Sequence, residues 1–309
     1  MMSYEEFKDM LKLHTRKYLP EELKSWNIFI YPEKDVNRSR DKICFLNPNA
    51  PASPQLYIDE LYDRYLELQD FEEAVAPILQ TLDMIAEEGQ YMGDIIHAKI
   101  GKDKIVSQLV NTEQNKELLK DMPHRKWKEF SVVYRCILAI DREGRVLASL
   151  PISKSIARQM DLTEVELYAI AMENMREHYP VHIERMDKLI CRFHDQSVFS
   201  EKDLEKARRW YIITNSLGWH GATSILDSER LHRLAMEVGS DLYLMPTSTH
   251  EFTAISAEDF DLGRNRNYTR ENNLESIKLE DRISNDIYFY DREKREISII
   301  VKSPYRTLD

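Results

Sequence analysis

The chain has 309 residues, of which 42% are hydrophobic, and its formal net charge at pH 7 is −11. A chain of this length buries about 75% of the surface that its unfolded form exposes, so a core can form without disulfides or structural metals. The acidic balance argues against a general affinity for nucleic-acid phosphates, and no stretch nears the roughly 18 consecutive apolar residues of a membrane span. We therefore expect neither a nucleic-acid partner nor a membrane.

The cysteines predict a reducing compartment. Cys44, Cys136 and Cys191 are far apart and odd in number, which is typical of free thiols and not of a disulfide framework. The first eight residues carry acidic side chains where a secretory signal needs positive charge and then an apolar run. Both features predict a cytoplasmic location.

The first hundred residues predict a helix, a hairpin and two further helices. Apolar residues recur at helical spacing between Tyr4 and Tyr18, and Ser3 with Glu6 forms a capping box. Two aromatic and β-branched runs, residues 26–31 and 42–46, flank a charged turn and indicate a β-hairpin. A short extended piece at residues 55–57 precedes the two helices.

The rest of the chain alternates strand-like and helical segments. Phe130–Ile140 is apolar enough for a strand buried on both faces, and Thr163-x-x-Glu166 caps the clearest helix. Further strands are predicted at residues 104–110, 146–150, 210–215, 241–245, 252–255, 287–290 and 297–301, with helices at 113–120 and 228–238.

These elements predict an α+β fold of two lobes, each with mixed or antiparallel sheet flanked by helices. We place an N-terminal lobe at residues 1–100 and a C-terminal lobe at residues 101–309. The charged stretch near residues 184–209 is weakly periodic, and we interpret it as a helical insertion in the C-terminal lobe.

Two segments at predicted strand ends form the candidate site. The first, residues 215–222, has two glycines that let the backbone approach a ligand, and the second, residues 246–251, joins two strands. Strand ends are where binding sites collect. The candidate ligand-binding residues are Asn215, Gly218, His220, Gly221, Ser248, His250 and Glu251.

Three interpretations of these segments stay open. Ser248 and His250 have the side chains of a nucleophile and its base, which favours a hydrolase or transferase with a distant carboxylate. The Pro-Thr-Ser-Thr run before His250 is also ordinary turn chemistry, in which hydroxyls bond their own backbone. The third interpretation is ligand binding without chemistry, so we assign no catalytic residue.

Neither a metal nor a cofactor is predicted. The set His178, His182, Cys191 and His194 has poor ligand spacing, because Pro180 separates its first two members. The sequence has no P-loop, no G-x-G-x-x-G, no G-x-S-x-G, no H-E-x-x-H and no paired C-x-x-C. The basic segment His124–Lys128 is interpreted as a solvated stretch before a buried strand.

Four short motifs in order resemble a bacterial family of unknown function that is common in gut bacteria and on mobile elements. They are Asn115-x-x-Leu118-Leu119-x-Asp121-x-Pro123-His124-Arg125, Leu167-Tyr168-x-x-Ala171-x-x-Asn174, Gly218-x-x-Gly221-Ala222-x-x-Ile225-Leu226 and Pro246-Thr247-Ser248-x-His250-Glu251. The resemblance covers nearly the whole chain. It implies no substrate, cofactor or catalytic residue.

The leading hypothesis is a non-catalytic cytoplasmic binding protein, or an accessory factor linked to a mobile element, that engages a protein partner or a small ligand near His220 and His250. The alternative is the hydrolase or transferase that uses Ser248 and His250.

Overall fold

The computed structural model describes residues 1–46, 55–87, 101–193, 200–263, 265, 267–304 and 308. It confirms the α+β class: helices accompany three sheets, and every strand pair in the described chain is antiparallel. The chain divides into two compact units, Met1–Ile100 and Gly101–Asp309. No helix in the described ranges is long and apolar enough to cross a membrane.

In its described residues, the first unit contains one three-stranded sheet and three α-helices. Strands β1 (Asn27–Asp35), β2 (Arg38–Leu46) and β3 (Gln55–Tyr57) pair in that order, and Asn37 turns the β1–β2 hairpin with a φ of 63°. The helices are α1 (Tyr4–Tyr18), α2 (Ile58–Leu68) and α3 (Phe71–Glu87). The capping box of Ser3 and Glu6 is present at the start of α1.

One apolar cluster holds this unit together. Phe7 and Leu11 of α1 are fully buried and belong to the same core as Ile43 and Phe45 of β2 and Ile78 of α3. Burying each of these side chains contributes about 1.5–3 kcal/mol. Of the apolar residues whose spacing predicted the helix, Phe7 and Leu11 therefore pack into the core, whereas Met10 and Leu13 are exposed.

The second unit contains a four-stranded sheet built around one long strand. Strand β6 (Phe130–Ile140) pairs along one edge with β4 (Ile105–Asn111), and with β5 (Arg125–Trp127) and β7 (Val146–Pro151) along the other. Six consecutive residues of β4 are buried. A strand that is covered on both faces has a nearly continuous apolar sequence. The apolar run of β6 was predicted as such a strand.

Helix α6 (Glu164–Glu177) packs on β4 and fixes its beginning. The buried Asn174 side chain donates through Nδ2 to the carbonyl oxygens of Lys102, at 2.6 Å, and Ile105, at 2.8 Å. Asn174 therefore satisfies two carbonyls at the point where a short 3₁₀ turn, Lys102–Lys104, becomes a strand.

A six-stranded sheet completes the second unit. Its strands are β8 (Val181–Arg185), β9 (Trp210–Asn215), β10 (Leu242–Ser248), β11 (Glu251–Ser256), β12 (Ile287–Asp291) and β13 (Glu296–Val301), in the spatial order β13-β12-β10-β11-β9-β8. The connection between β10 and β11 is two residues long, so it holds Thr249 and His250 at the ends of two central strands.

Several elements differ from the sequence prediction. Residues 181–185, partly assigned to the helical insertion, form β8, and two helices, α7 (Met186–Phe193) and α8 (Glu201–Ala207), follow within the predicted stretch. Strand β8 is a partly exposed edge strand, and its charged side chains obscured the alternation of apolar and polar residues that predicts a strand. The predicted solvated segment before β6 contains β5, in which Arg125 pairs with Glu164 at 3.1 Å.

The remaining helices of the second unit are short. Two of them, α5 (Lys154–Gln159) and α10 (Tyr268–Ser276), were not predicted, and α10 buries two polar residues, Thr269 and Asn273. The other two are α4 (Lys116–Leu119) and α9 (Ser228–Val238).

Replacing Asn174 with alanine should destabilise the protein by about 2 kcal/mol, because the Lys102 and Ile105 carbonyls would lose their buried donor. Urea unfolding measures the change. Glu173→Ala, one residue away on the exposed side of α6, is the matched control and should change stability by less than about 0.5 kcal/mol. Equal effects of the two substitutions would contradict the anchoring role.

Candidate functional site

The loop after β9 is organised by one asparagine side chain. The Asn215 amide donates through Nδ2 to the Trp219 carbonyl at 2.9 Å. Its Oδ1 accepts the backbone N–H groups of Leu217, at 3.1 Å, and Trp219, at 3.3 Å. Gly218, with φ of 62°, lets the chain turn between these contacts. The Asn215 side chain thus stabilises the loop to which it belongs.

Gly221 is required by a close approach of backbone segments. A Cβ built on Gly221 would lie 2.6 Å from the Asn215 nitrogen and 2.6 Å from the His250 carbonyl oxygen. Thr214 donates its hydroxyl to the same His250 carbonyl at 2.8 Å. The glycine therefore allows the two predicted segments to meet.

The two predicted histidines lie side by side. Their rings stack with centroids 5.5 Å apart, and the His220 backbone N–H donates to His250 Nδ1 at 3.0 Å. With Nδ1 accepting, the neutral His250 ring carries its proton on Nε2, which lies 3.2 Å from Asp281 Oδ1. Both nitrogens of His250 are therefore engaged by the protein.

His220 is buried and held by Thr249. Its Nδ1 lies 3.3 Å from the Thr249 hydroxyl, which donates to the Leu109 carbonyl oxygen at 3.3 Å. Burial lowers the pKa of His220 well below its ordinary value, and the positive charge of Arg135 acts in the same direction. His220 is therefore neutral at physiological pH.

Ser248 caps the turn that leads to His250. Its Oγ accepts the backbone N–H of His250 at 3.0 Å, an interaction typical of a serine turn. Neither His250 nitrogen is directed to this hydroxyl, because one accepts from His220 and the other faces Asp281. The geometry thus matches the turn interpretation and does not supply the serine–histidine pair of a nucleophile and base.

Glu251 follows the turn, and burial raises the pKa of its carboxyl. All seven candidate residues therefore lie in one cluster of hydrogen-bonded residues. We call this cluster, residues 214–222 with 247–251, the knot.

The other candidate sets are not assembled. His182 is exposed and lies 3.5 Å from Glu184, Cys191 is exposed on α7, and His178 ends α6. His194 lies outside the described residues. Within the described ranges, no group of three or more His, Cys, Asp or Glu side chains is arranged to hold a metal ion.

A cavity of about 280 Å³ lies elsewhere in the second unit, and the sequence analysis missed it. Its walls come from the end of β4, the β5–β6 hairpin, the segment before β12 and the residues after β13. The lining residues are Asn111, Thr112, Glu113, Lys126, Glu129, Ser284, Asn285, Asp286, Lys302 and Leu308. We call it the Glu129 cavity.

Glu129 occupies a constrained turn. It is the second residue of the two-residue connection between β5 and β6, and Lys128 before it adopts a φ of 54°. The Thr112 backbone N–H donates to the Glu129 carbonyl at 2.9 Å. A left-handed non-glycine residue costs about 1–2 kcal/mol, and such strain is concentrated at functional positions. The backbone of Glu129 is therefore firmly placed.

The Glu129 carboxyl is buried without a partner. Both oxygens are inaccessible to solvent, and neither has a hydrogen-bond partner of good geometry. No ion pair of Glu129 exists among the described residues. Burial raises its pKa to about 7, while its own backbone amide and the charges of Asp286, Lys128 and Lys302 have smaller, partly opposing effects. A carboxyl of this kind in a cavity is a candidate functional group.

The polar neighbours of Glu129 in the cavity wall are bonded to the protein. Asn111 donates through Nδ2 to the Ile283 carbonyl at 3.1 Å and accepts the Gln114 N–H at 3.0 Å. Asp286 accepts the Ser303 N–H at 2.7 Å. Asn111 and Asp286 are therefore held by the protein, whereas the Glu129 carboxyl has no partner.

The segment Asp281–Asp286, which we call the strap, connects the knot to the cavity. At one end the Asp281 carbonyl accepts the Thr249 N–H at 2.6 Å. At the other end Asn273 donates to the Ser284 carbonyl at 2.9 Å and to Asn285 Oδ1 at 2.8 Å. The knot therefore helps to position the cavity wall.

The sequence model that describes DUF5688, a family of unknown function, matches residues 4–292 of the chain. The match confirms the predicted resemblance to a family of unknown function. No curated protein and no solved structure matches the chain.

Gly221→Ala should destabilise the protein by about 3 kcal/mol, because its Cβ would press on backbone atoms of Asn215 and His250. Thermal and urea unfolding measure the loss. Gly218→Ala is the control: it has open space around the new methyl group and should cost only the left-handed backbone energy of about 1–2 kcal/mol. A smaller loss at Gly221 than at Gly218 would argue against the close approach.

Glu129→Gln should stabilise the protein above neutral pH. The pKa of the folded-state carboxyl is about 7 against an ordinary value of 4.5, so the folded state holds the proton more tightly and wild-type stability falls as pH rises through this window. Glutamine carries no charge to bury. We expect a gain of about 1–2 kcal/mol at pH 8, after allowance for solvent screening, and almost none at pH 5.

Urea unfolding at the two pH values measures this gain. Glu173→Gln, an exposed glutamate on α6, is the control and should show no such pH dependence. A Glu129→Gln variant that is equally or less stable than wild type at pH 8 would contradict the buried charge.

Proposed function

We propose that this chain, which belongs to the family of unknown function DUF5688, is a non-catalytic binding protein whose small polar ligand occupies the Glu129 cavity. The observation that carries the proposal is the buried Glu129 carboxyl, whose two oxygens have no partner within the described structure. An unpartnered buried polar group costs about 1–3 kcal/mol, and more if it is charged. A ligand that displaces the groups covering the carboxyl and donates to Glu129 would recover that energy.

The dimensions of the cavity favour a small molecule over a protein partner. About 280 Å³ is slightly below the range of 300–1,000 Å³ that is typical of small-molecule sites. The charged and polar residues of the lining favour a ligand that carries polar groups. A protein partner would instead require a larger apolar surface, so the small-ligand form of the hypothesis is the one we adopt.

A binding role without chemistry fits the bonding of the histidines. The hydrolase or transferase alternative requires that His250 take a proton from Ser248, and both ring nitrogens of His250 are engaged by His220 and Asp281. Among the residues that line the cavity with Glu129, Thr112 and Ser284 carry hydroxyl groups and none is a cysteine. The hydroxyls of those two residues are bonded to Ser131 and Tyr288.

In this proposal the seven residues of the sequence-predicted site act as positioning residues. Asn215, Gly218 and Gly221 shape the loop, and His250 contacts the strap through Asp281. The strap in turn carries Ser284, Asn285 and Asp286 into the cavity wall. Their contribution to binding is therefore through the geometry of the strap.

The proposed setting is the cytoplasm of a bacterium, as a binding or accessory protein that acts without a nucleic-acid partner. The three free cysteines and the net charge of −11 support it. A link to a mobile element is part of the same proposal.

A thermal-shift panel tests the proposed function. Neutral sugars, nucleosides, carboxylates, amines and amino acids are added singly to wild type, and a ligand at a hundredfold excess over its Kd should stabilise the folded state by about 2.7 kcal/mol. The shift should disappear in Glu129→Gln.

Glu173→Gln and Lys120→Ala, both exposed and outside the cavity lining, are the matched controls and should keep the shift. Shifts that survive Glu129→Gln unchanged would place the ligand elsewhere. The absence of any shift across the panel would overturn the small-ligand proposal.

A further inference from the structure

Strand β1 lies at the edge of the three-stranded sheet and pairs along one side with β2. The register is unbroken over Asn27–Asp35, and a two-residue turn closes the hairpin at the pair Asp35 and Arg38. A closing pair of this kind exchanges both backbone hydrogen bonds, and bonded and non-bonded pairs then alternate along the strands. The even-numbered residues of β1, from Ile28 to Lys34, therefore direct their backbone groups away from β2.

The unpaired part of this edge is short. Pro32 has no N–H, and the Trp26 carbonyl already accepts from Arg16 Nη1 at 2.8 Å. The Trp26 N–H is bonded within the preceding turn. Between these limits, the N–H and C=O groups of Ile28 and Ile30 have no partner among the described residues. Two residues thus present a template for a further strand.

A groove of about 550 Å³ borders the same edge. Asn27 and Ile28 of β1 line one side of it. The other side is one face of α1, with residues at helical spacing, and we call it the α1 stripe: Asp9, Lys12, Leu13 and Arg16. Leu13 is 71% exposed, and Phe29, on the other face of β1, is 48% exposed. Exposed apolar side chains beside unpaired backbone groups are typical of a strand-pairing interface.

We propose that β1 pairs antiparallel with β1 of a second copy of this chain, about a two-fold axis at Phe29. Ile28 of each copy then exchanges both backbone hydrogen bonds with Ile30 of the other. The next pair on either side sets Pro32, which has no N–H, opposite Trp26, whose N–H and carbonyl are already bonded. No backbone donor between Trp26 and Pro32 is left without a partner.

The two neighbouring two-fold registers lack this match. An axis at Ile30 would set Ile28 opposite Pro32, so the Ile28 carbonyl would have no donor. An axis at Ile28 would set Ile30 opposite Trp26, whose backbone groups are already bonded. The axis at Phe29 is therefore the one that pairs the two free residues with each other.

The same axis covers the exposed apolar side chains. The two copies of Phe29 are directly opposite in a non-hydrogen-bonded pair, whose Cα atoms lie about 4.5 Å apart, and cross-strand aromatic pairs stabilise antiparallel sheets. Residues that are directly opposite share a face of the sheet. Ile30 of the second copy is opposite Ile28, and so it enters the groove between α1 and β1.

The charges of the α1 stripe identify the occupant as a second copy. The two-fold axis between antiparallel neighbours is perpendicular to their sheet, so a helix that lies on the sheet runs antiparallel to its copy. Asp9, at one end of the stripe, then lies opposite Arg16 of the second copy. Neither residue has an ion pair within the described ranges. The stripe is thus complementary in charge to itself, as an interface between identical chains requires.

Sedimentation velocity of the full chain at about 1–300 µM tests the proposal, because an interface of one short strand and one helix face is expected to be weak. Wild type should change from monomer to dimer across this range. Phe29→Lys should weaken the dimer at least tenfold, since it sets two positive charges directly opposite each other. Leu68→Lys changes a comparably exposed leucine of α2 and is the matched control, which should dimerise like wild type.

Two charge variants test the α1 stripe. Asp9→Arg sets arginine opposite arginine at both ends of the stripe, and Arg16→Asp sets aspartate opposite aspartate. Each variant alone should therefore dimerise about three- to tenfold less tightly than wild type. An equimolar mixture of the two variants has opposite charges at both ends and should dimerise more tightly than either variant alone. Mixing would not repair a folding defect.

A disulfide tests the register. The background is Cys44→Ala/Cys191→Ala, which removes the cysteine opposite Phe29 on β2 and the exposed cysteine of α7. In it, Phe29→Cys should give a disulfide-linked dimer on mild oxidation, because a Cα separation of about 4.5 Å suits the bond. Tyr31→Cys lies two residues from the axis, and this matched control should not cross-link.

The outcomes are decisive for the second copy. A chain that stays monomeric up to about 300 µM would overturn the proposal and leave the edge to an extended segment of a different protein. A dimer that Phe29→Lys leaves intact, that mixing does not restore, or that cross-links equally at positions 29 and 31 would also overturn it. No variant changes a residue of the Glu129 cavity, so these results are independent of the proposed function.

Discussion

The second unit depends on the bonding of Thr249, a fully buried residue in the β10–β11 turn. Its N–H donates to Asp281, its carbonyl accepts from Ala222, and its hydroxyl contacts Leu109 and His220. Leu109 belongs to the four-stranded sheet, and the turn belongs to the six-stranded sheet. One residue thus joins both sheets, the loop after β9 and the strap. Buried polar networks of this kind specify a unique arrangement only when every member is satisfied.

The knot and the Glu129 cavity represent opposite uses of buried polar groups. In the knot, side chains and backbone satisfy one another, and the result is rigidity. In the cavity, a carboxyl is kept from water without a partner, which costs folding free energy. In the proposed function that partner is a ligand, so stability and binding would oppose each other at Glu129.

Local patterns in the sequence predicted much of the fold. The capping boxes at Ser3 and Thr163, the apolar run of β6 and the membership of a family of unknown function are all confirmed. Strand β8 was missed because its charged residues lie at a sheet edge. Helix α10 was missed because the residues it buries are polar, so it has no apolar periodicity.

The candidate site was harder to predict for a physical reason. Gly221 and His250 were recognisable, because a close approach and a turn each need particular residue types. Glu129 follows three basic or aromatic residues in a short turn, and such a glutamate is ordinarily solvated. It shares the walls of a cavity with residues 284–286 and 302, more than 150 positions away in the chain. No local pattern around Glu129 records that contact.

The family match ends at residue 292, and this boundary divides the cavity into two parts. Glu129 and Asp286 lie inside the matched range, whereas Lys302 and Leu308 lie beyond it. In the proposed site, the carboxyl of Glu129 is thus encoded within the stretch that the family model matches, and one part of the wall is encoded outside it. A substitution after β12 can consequently change that part of the wall while the hairpin that carries Glu129 stays as it is.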